Sequence, residues 1–149
     1  MLQFGVPAPG RAHKPRPAAF GITERNGRIA LVRVRPSAGG DWLDLPGGAL
    51  DPGENETEAL VREFGEETGL RITVGDPVVE FAQFFLKSDG EAVNNQGQVY
   101  VVAVAGEDPG LKIEDDHELV WLEPAEAVRR LRHDGHAWAV AKWMRGTTR

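Results

Sequence analysis

The spacing of apolar and polar positions along the chain predicts short strands that alternate with single helices. Apolar residues favour strands at 18–23, 28–35, 42–45, 71–74, 78–86, 98–105 and 119–122. The dipeptide Asn26-Gly27 predicts a tight hairpin turn between the first two strands. Both alternating faces of the second strand are apolar, so we expect it to be covered on both sides.

A helix is expected between residues 55 and 69. Leu60 and Phe64 lie on the face of this helix that can be buried. Asn55, followed three residues later by Glu58, predicts an N-cap with a capping box, and Gly69 predicts the end of the helix.

The C-terminal region predicts two more helices. Pro124 opens a helix that Gly135 is expected to end, and residues 136–145 form a second helical stretch. Strands that alternate with isolated helices predict a layered α/β arrangement. Residues 1–16, rich in proline and glycine, predict an extended lead-in, and residues 17–149 a single domain.

Two polar segments are predicted to be loops. Residues 37–41 form a glycine-rich loop before the third strand. Residues 87–97 predict an exposed hairpin tip, which either overhangs a substrate site or is an ordinary mobile turn.

Composition narrows the classes of function. The net charge of −6 argues against a non-specific binder of nucleic acid or of an anionic membrane, because such proteins carry basic patches. The absence of cysteine excludes disulfides, a thiol nucleophile and a thiolate zinc site. No apolar run is long enough for a membrane span or a signal-peptide core, so we expect a cytoplasmic protein.

Three glutamates concentrate negative charge on the helix predicted at 55–69. Glu63, Glu66 and Glu67 stand at i, i+3 and i+4, and therefore project from one arc of the helix. Like charges at this spacing repel, and divalent cations such as Mg²⁺ prefer carboxylate oxygens. Taken alone, the stripe is more typical of a solvated helix face than of a metal site.

The residues around the stripe resemble the Nudix box, Gly-x5-Glu-x7-Arg-Glu-U-x-Glu-Glu-x-Gly-U, in which U is a bulky apolar residue. Every fixed position is present at the right spacing, and the one departure is Phe64, where a smaller aliphatic residue is usual. The matching residues are Gly48, Glu54, Arg62, Glu63, Phe64, Glu66, Glu67, Gly69 and Leu70. The resemblance implies an α/β/α sandwich with a mixed sheet between helices, and a MutT-like hydrolase.

The resemblance also implies roles for the residues of the box. Glu63, Glu66 and Glu67 become metal ligands for Mg²⁺, or Mn²⁺ in its place, and Gly48 offers its backbone carbonyl. Arg62 and Glu54 hold the loop and the helix together.

The general base is left open between two glutamates. One is Glu67, and the other is Glu118, because in similar proteins a glutamate a few residues before a tryptophan can serve as a further metal ligand or as the general base. Glu114 or Asp115 could reach the site in place of Glu118, and a surface role remains open for each of these acids taken singly.

Candidate substrate contacts lie outside the box. Trp42 and Arg33 are the two residues assigned, although core packing is the favoured role of Trp42. A solvent-facing position is expected for His117, and no role is assigned to His133 or His136. Arg11, Lys14 and Arg16 of the lead-in could meet a phosphate, but a solvated arm is the favoured interpretation.

The reaction implied by the resemblance is hydrolysis of a pyrophosphate bond in a nucleoside diphosphate linked to another group. Residues 82–88 lack the proline of the ADP-ribose enzymes and the tyrosine of the diadenosine polyphosphate enzymes, and the SQPWPFP of the NADH enzymes is absent. A nucleoside triphosphate or a related small nucleotide is therefore expected by elimination. The alternatives are an ADP-ribose or sugar-nucleotide pyrophosphatase, an RNA 5′ pyrophosphohydrolase, a non-catalytic nucleotide-sensing module and a cation-binding structural domain, and a homodimer stays open.

Overall fold

The computed structural model describes residues 1–35 and 39–147, and it confirms the predicted α/β sandwich. Ser37 and Ala38 of the predicted glycine-rich loop lie outside the described residues. The strands are β1 (Leu2–Phe4), β2 (Lys14–Ile22), β3 (Glu24–Arg25), β4 (Arg28–Val34), β5 (Trp42–Asp44), β6 (Gly47–Ala49), β7 (Leu70–Leu86), β8 (Ala92–Glu107) and β9 (His117–Leu122). The helices are α1 (Glu56–Thr68), α2 (Pro124–Arg130) and α3 (Asp134–Thr147), with a 3₁₀ turn at Pro109–Leu111.

A mixed five-stranded sheet, in the order β1-β7-β8-β2-β6, forms the middle of the sandwich. The long hairpin of β7 and β8 is antiparallel, whereas β1 pairs parallel with β7 and β2 pairs parallel with β8. Strand β6 adds antiparallel to β2. Glycines Gly47 and Gly48 are therefore held at the edge of this sheet.

A smaller sheet has β4 at its centre. Strand β9 pairs antiparallel along one side of β4, and β3 and β5 pair antiparallel with its two ends on the other side. Ile29, Ala30, Leu31 and Val32 are all buried, as the two-sided apolar pattern of β4 predicts.

Helices cover the two faces of the large sheet, and β2 shows how. Its residues alternate between faces, with Ala19 packing towards Leu60 and Phe64 of α1. Ala18 and Phe20 face the other way and pack with residues of α2 and α3, including Val140. Helix α1 thus lies on one side of the sheet, and the C-terminal helices lie on the other.

The tight turn predicted at Asn26-Gly27 is present, but the strand before it that pairs with β4 is β3 and not β2. Asn26 and Gly27 both have positive φ, 53° and 78°, and they join β3 to β4. Strand β2, which was expected to pair with β4, instead pairs with β8 and β6 of the large sheet. The chain changes sheets at Thr23, whose carbonyl still accepts a hydrogen bond from the Ala30 N–H.

Two further expectations are corrected. The loop predicted at 87–97 ends at Glu91, because β8 begins at Ala92 and continues the pairing with β7. Gly135 does not end α2 but lies in the first turn of α3, where a Cβ atom would come within 2.3 Å of the Phe81 ring. A glycine there lets α3 pack tightly on the sheet.

No helix in the part of the chain that the structure describes is long and apolar enough to cross a membrane.

Candidate active site

Helix α1 begins and ends as its sequence predicts. The Asn55 side chain accepts a hydrogen bond from the Glu58 N–H at 2.8 Å, and the Glu58 carboxylate accepts one from the Asn55 N–H at 3.0 Å. Gly69 ends the helix with φ of 76°, a conformation that favours glycine. These caps fix where the helix starts and stops, and so they fix the direction in which its glutamates project.

Two glycines of β6 bring the backbone close to these glutamates. A Cβ atom on Gly47, whose φ is 139°, would lie 2.1 Å from the Ala19 carbonyl oxygen. A Cβ atom on Gly48 would lie 2.9 Å from the carboxyl carbon of Glu63. The Gly47 N–H donates to the Glu67 carboxylate at 2.9 Å. A larger residue at Gly47 would push β6 away from β2, and a larger residue at Gly48 would displace the Glu63 side chain of α1.

Arg62 connects the loop before α1 to the helix. Its Nε and Nη2 atoms donate to the two carboxylate oxygens of Glu54 at 2.8 and 2.9 Å. Its Nη1 atom donates to Glu63 at 2.9 Å and to Glu66 at 3.2 Å, and Nη2 also reaches the Ala49 carbonyl at 3.1 Å. The Arg62 guanidinium lowers the pKa of Glu54 to about 2. The structure thus places Arg62 where it orients the acidic side chains.

Two overlapping groups of side chains could hold a cation. Oxygens of Glu63, Glu66 and Glu114 all lie within 4.8 Å of one another, and so do ligand atoms of Glu67, Glu114 and His117. The structure therefore brings the three predicted glutamates together with a fourth acid.

The charges of this cluster fit a hard divalent cation. Burial raises the pKa of Glu63 to about 7 and raises that of Glu67 well above its usual value. Burial also raises the pKa of Glu114, whose Oε2 atom has no hydrogen-bond partner among the described residues. Buried carboxylates that repel one another gain most from a bound positive charge, and Mg²⁺ and Mn²⁺ accept such oxygen ligands.

Glu114 is held in place by the backbone of α1. The N–H groups of Ile113 and Glu114 both donate to the Glu66 carbonyl, at 3.1 and 3.2 Å. Glu66 lies in the last turn of the helix, where carbonyls lack helical partners. The last turn of α1 thus carries the Glu66 side chain and also holds the backbone of Glu114.

Glu118 does not join this cluster. It is paired with Arg33 across β4 and β9, at 3.4 Å, and its side chain is 55% exposed. The neighbouring His117 projects to the other face of β9, where its Nε2 atom lies 3.3 Å from the Glu67 Oε2 atom. The expectation of a solvent-facing His117 is wrong, because this side chain is only 16% exposed.

A cavity of about 210 Å³ opens beside the acidic cluster. It reaches from Gly48 and Glu67 to the connection between α2 and α3. Its lining residues are Arg16, Phe20, Val34, Trp42, Asp44, Leu45, Gly47, Gly48, Glu67, Phe85, Lys87, Ser88, Asn95, Asp116, His117, Arg132, His133 and His136. Of the two candidate substrate contacts, Trp42 lines this cavity, whereas Arg33 lines a neighbouring pocket that shares Trp42 and Arg132 with it.

The end of the cavity away from the glutamates is aromatic and is braced by an ion pair. The Arg132 guanidinium lies 4.5 Å from the Trp42 ring and 5.5 Å from the Phe85 ring. Two of its nitrogens donate to the Asp44 carboxylate at 3.2 and 2.6 Å. These contacts hold the Trp42 and Phe85 rings against the Arg132 guanidinium in the cavity wall.

Two buried histidines complete this end. The His136 Nδ1 atom accepts a hydrogen bond from the Leu45 N–H at 3.1 Å, which places the proton of the neutral ring on Nε2. Burial lowers the pKa of His133 to about 3, with Arg132 contributing, and lowers that of His136 well below its usual value. Both imidazoles are therefore neutral at ordinary pH.

Some site residues that were not predicted from the sequence could have been found from a local pattern, and others could not. The alternation of His117, Leu119 and Trp121 on one face of β9 places His117 towards α1, so this residue was open to prediction. Asp44 and Arg132 are 88 positions apart, and no local pattern indicates their pairing.

Relatives of known name share most of this chain. A putative 8-oxo-dGTP diphosphatase 2 of Mycobacterium tuberculosis is 37% identical over 104 residues, covering 66% of this chain and 65% of that protein. The CTP pyrophosphohydrolase of Escherichia coli is 32% identical over 110 residues, covering 72% of this chain and 76% of that protein.

An octanoyltransferase of Myxococcus xanthus is 34% identical over 112 residues, but the match covers 72% of this chain and 30% of that protein. The chain thus spans less than two thirds of the length of two of these three relatives.

The fold and the family model agree with the motif. A NUDIX hydrolase from Nitrosomonas europaea superposes with a TM-score of 0.76 over 89% of this chain and 90% of that chain, and its 22% sequence identity shows the fold alone. The model of the NUDIX domain matches residues 12–144. With the complete box and the arrangement of its glutamates, this match shows that the chain belongs to the Nudix family.

Proposed function

We propose that this protein is a divalent-cation-dependent pyrophosphohydrolase that acts on a nucleoside triphosphate or a related small nucleotide. The observation that carries the proposal is the group of four carboxylates, Glu63, Glu66, Glu67 and Glu114, beside an open cavity with an aromatic wall. The names of the relatives, a CTP pyrophosphohydrolase and a putative 8-oxo-dGTP diphosphatase, support a nucleoside triphosphate.

Glu63, Glu66 and Glu114 are the residues that would hold the cation, and the backbone of Gly48 lies against Glu63. The cation, Mg²⁺ or Mn²⁺, would neutralise phosphate oxygens and lower the pKa of the attacking water. Arg62 keeps Glu63 and Glu66 in position through its hydrogen bonds. Arg62 and Glu54 therefore act on the reaction through other residues.

Glu67 is our choice for the general base. Its Oε1 atom accepts a hydrogen bond from the Gly47 N–H, and its Oε2 atom, which lies near His117, would accept the proton from water. Burial raises the pKa of Glu67, which makes the carboxylate a stronger base. In the reaction a water oxygen bonds to phosphorus and the bridging P–O bond breaks. One water proton goes to Glu67, and His117 Nε2 lies 3.3 Å from that carboxylate.

A substrate panel tests the proposal. The protein is incubated with nucleoside triphosphates, ADP-ribose, diadenosine polyphosphates, sugar nucleotides and 5′-triphosphorylated RNA, each with Mg²⁺, with Mn²⁺ or with EDTA. We expect turnover of at least one nucleoside triphosphate that EDTA abolishes. Turnover unaffected by EDTA would exclude the cation, and no turnover on any compound would favour the sensing module.

Cytoplasmic location and homodimer formation remain predictions from the sequence. Size-exclusion chromatography with light scattering would test the second of them.

A further inference from the structure

Three long basic side chains line the cavity beside the acidic cluster, and one of them lacks a carboxylate partner. Arg132 is paired with Asp44 at 2.6 Å, and Lys87 is paired with Glu91 at 3.2 Å. Arg16 lines the same cavity and forms no ion pair within residues 1–35 and 39–147. Arg16 is half-buried. A cation that is partly removed from water without a counterion is costly, so this position favours an anion from elsewhere.

The strands hold Arg16 in a defined place. In β2 its side chain shares a face with Ala18 and Phe20, and Phe20 lines the cavity too. Strand β8 lies alongside with Asn95 in register, and Arg16 Nη1 donates to the Asn95 side-chain oxygen at 3.1 Å. Asn95 is itself only 3% exposed. The guanidinium is therefore part of the cavity wall, whereas the interpretation favoured from the sequence was a solvated arm.

Most of the hydrogen-bonding capacity of Arg16 is unused. A guanidinium has five N–H donors, and Arg16 donates to one side-chain acceptor, that of Asn95. Burial lowers the pKa of Arg16, whereas the negative charges of Glu63, Glu91 and Glu67 raise it. The acidic cluster is therefore near enough to act on Arg16 without contacting it.

We propose that Arg16 binds the phosphate chain of the substrate, and that Asn95 keeps the guanidinium free to do so by accepting its hydrogen bond without adding charge. The inference rests on the proposed function and assigns the contact to a residue outside the box. A planar guanidinium in a partly buried wall forms paired hydrogen bonds to phosphate oxygens. It would supply positive charge in a cavity that is also lined by the carboxylates of Asp44, Glu67 and Asp116.

Binding of inorganic pyrophosphate, measured by calorimetry in EDTA at low salt, tests this contact without turnover. We expect Arg16→Gln to weaken binding about 10- to 100-fold, as loss of a charge-assisted contact does, and Arg16→Lys to weaken it less. Arg11→Gln is the matched control, since Arg11 lies on the same lead-in, donates to the Gly90 carbonyl and does not line the cavity. We expect Arg11→Gln to bind pyrophosphate as the unmodified protein does.

A second variant separates a binding role from a structural one. Asn95→Asp keeps the shape and the hydrogen bond but adds a carboxylate to Arg16, so it should weaken pyrophosphate binding to within about threefold of Arg16→Gln. Thermal unfolding should show that Asn95→Asp folds, because the new pair is attractive. If both Asn95→Asp and Arg16→Lys bind pyrophosphate as tightly as the unmodified protein, the proposal is overturned.

Kinetics on whichever nucleotide the substrate panel identifies give an independent reading. A contact made equally to substrate and transition state raises KM and leaves kcat nearly unchanged, so we expect that split for Arg16→Lys. Loss of pyrophosphate binding in Arg16→Gln without turnover on any nucleotide would keep the phosphate contact and reject the proposed reaction.

Discussion

The two ends of the cavity are built in different ways. At the acidic end, Glu63, Glu66 and Glu67 come from a single helix, and Glu114 is attached to the end of that helix. At the aromatic end, Trp42, Phe85 and Arg132 come from β5, β7 and the connection after α2. The first end depends on local sequence, and the second exists only once the sheets are assembled. We infer that the reaction is encoded locally and that substrate choice depends on the fold.

Glu67→Gln should have the largest effect, because it removes the proposed base from the acidic end with little change in volume. We expect kcat to fall by about a thousandfold or more, while thermal unfolding stays cooperative. Glu80→Gln, on the exposed side of β7, is the control and should keep normal kcat. A kcat within tenfold of normal for Glu67→Gln would remove this residue from the proton transfer.

Glu114→Gln and Glu118→Gln form a matched pair that tests which of these two glutamates belongs to the acidic end. Glu114 belongs to the carboxylate group and Glu118 is paired with Arg33 away from it. We expect kcat to fall about 10- to 100-fold for Glu114→Gln, as for loss of one charged contact, and to change less than about twofold for Glu118→Gln. Steady-state kinetics over a Mg²⁺ titration measures both, and the reverse order would restore Glu118 as the base.

His133→Gln tests how the aromatic end responds to acid. The folded pKa of His133, about 3, lies below its unfolded value near ~6.5, so the unfolded chain binds more protons between these values. The stabilisation is full above the unfolded pKa and is lost as pH falls towards the folded pKa. Between pH 7 and pH 5 we expect the unmodified protein to lose about 2 kcal/mol more unfolding free energy than the variant.

Urea unfolding at the two pH values measures this difference. Each protein is compared with itself, so any loss of packing in His133→Gln at pH 7 does not affect the result. Equal losses in the two proteins would show that His133 is able to take up a proton in the folded state.

Trp42→Ala should have the smallest effect, confined to the aromatic end. If the ring contacts the substrate, KM should rise by about tenfold, the size expected for loss of one stacking contact, with kcat nearly unchanged. Trp138→Ala is the control, because Trp138 lies on α3 outside the cavity. An unchanged KM would support the core-packing role for Trp42.

Most of the acidic end could be predicted from the sequence because most of its residues lie in one continuous segment of the chain. The caps at Asn55 and Gly69, the i, i+3, i+4 spacing of the glutamates and the Arg62–Glu54 contact all lie within one loop and helix. Such interactions depend on helix geometry, which the sequence specifies residue by residue.

The rest was not open to prediction because it depends on pairing between distant segments. Strand β2 was assigned to the wrong partner because a turn signal at Asn26-Gly27 says which strands are close in sequence, not where the preceding strand continues. Arg16 was expected to be solvated because its neighbour in space, Asn95, is 79 positions away. His133 has no feature in its own segment that distinguishes a buried histidine from an exposed one.

Residues 113 and 114 are attached to the Glu66 carbonyl, so the residues that follow set the distance between Glu114 and β9. Two residues separate Glu114, fixed on the helix end, from His117, fixed in β9. Lengthening that bridge by one residue would change the span between two potential ligands while leaving both anchors in place. For protein engineering, this short bridge is the position at which the site could be fitted to an ion of a different radius.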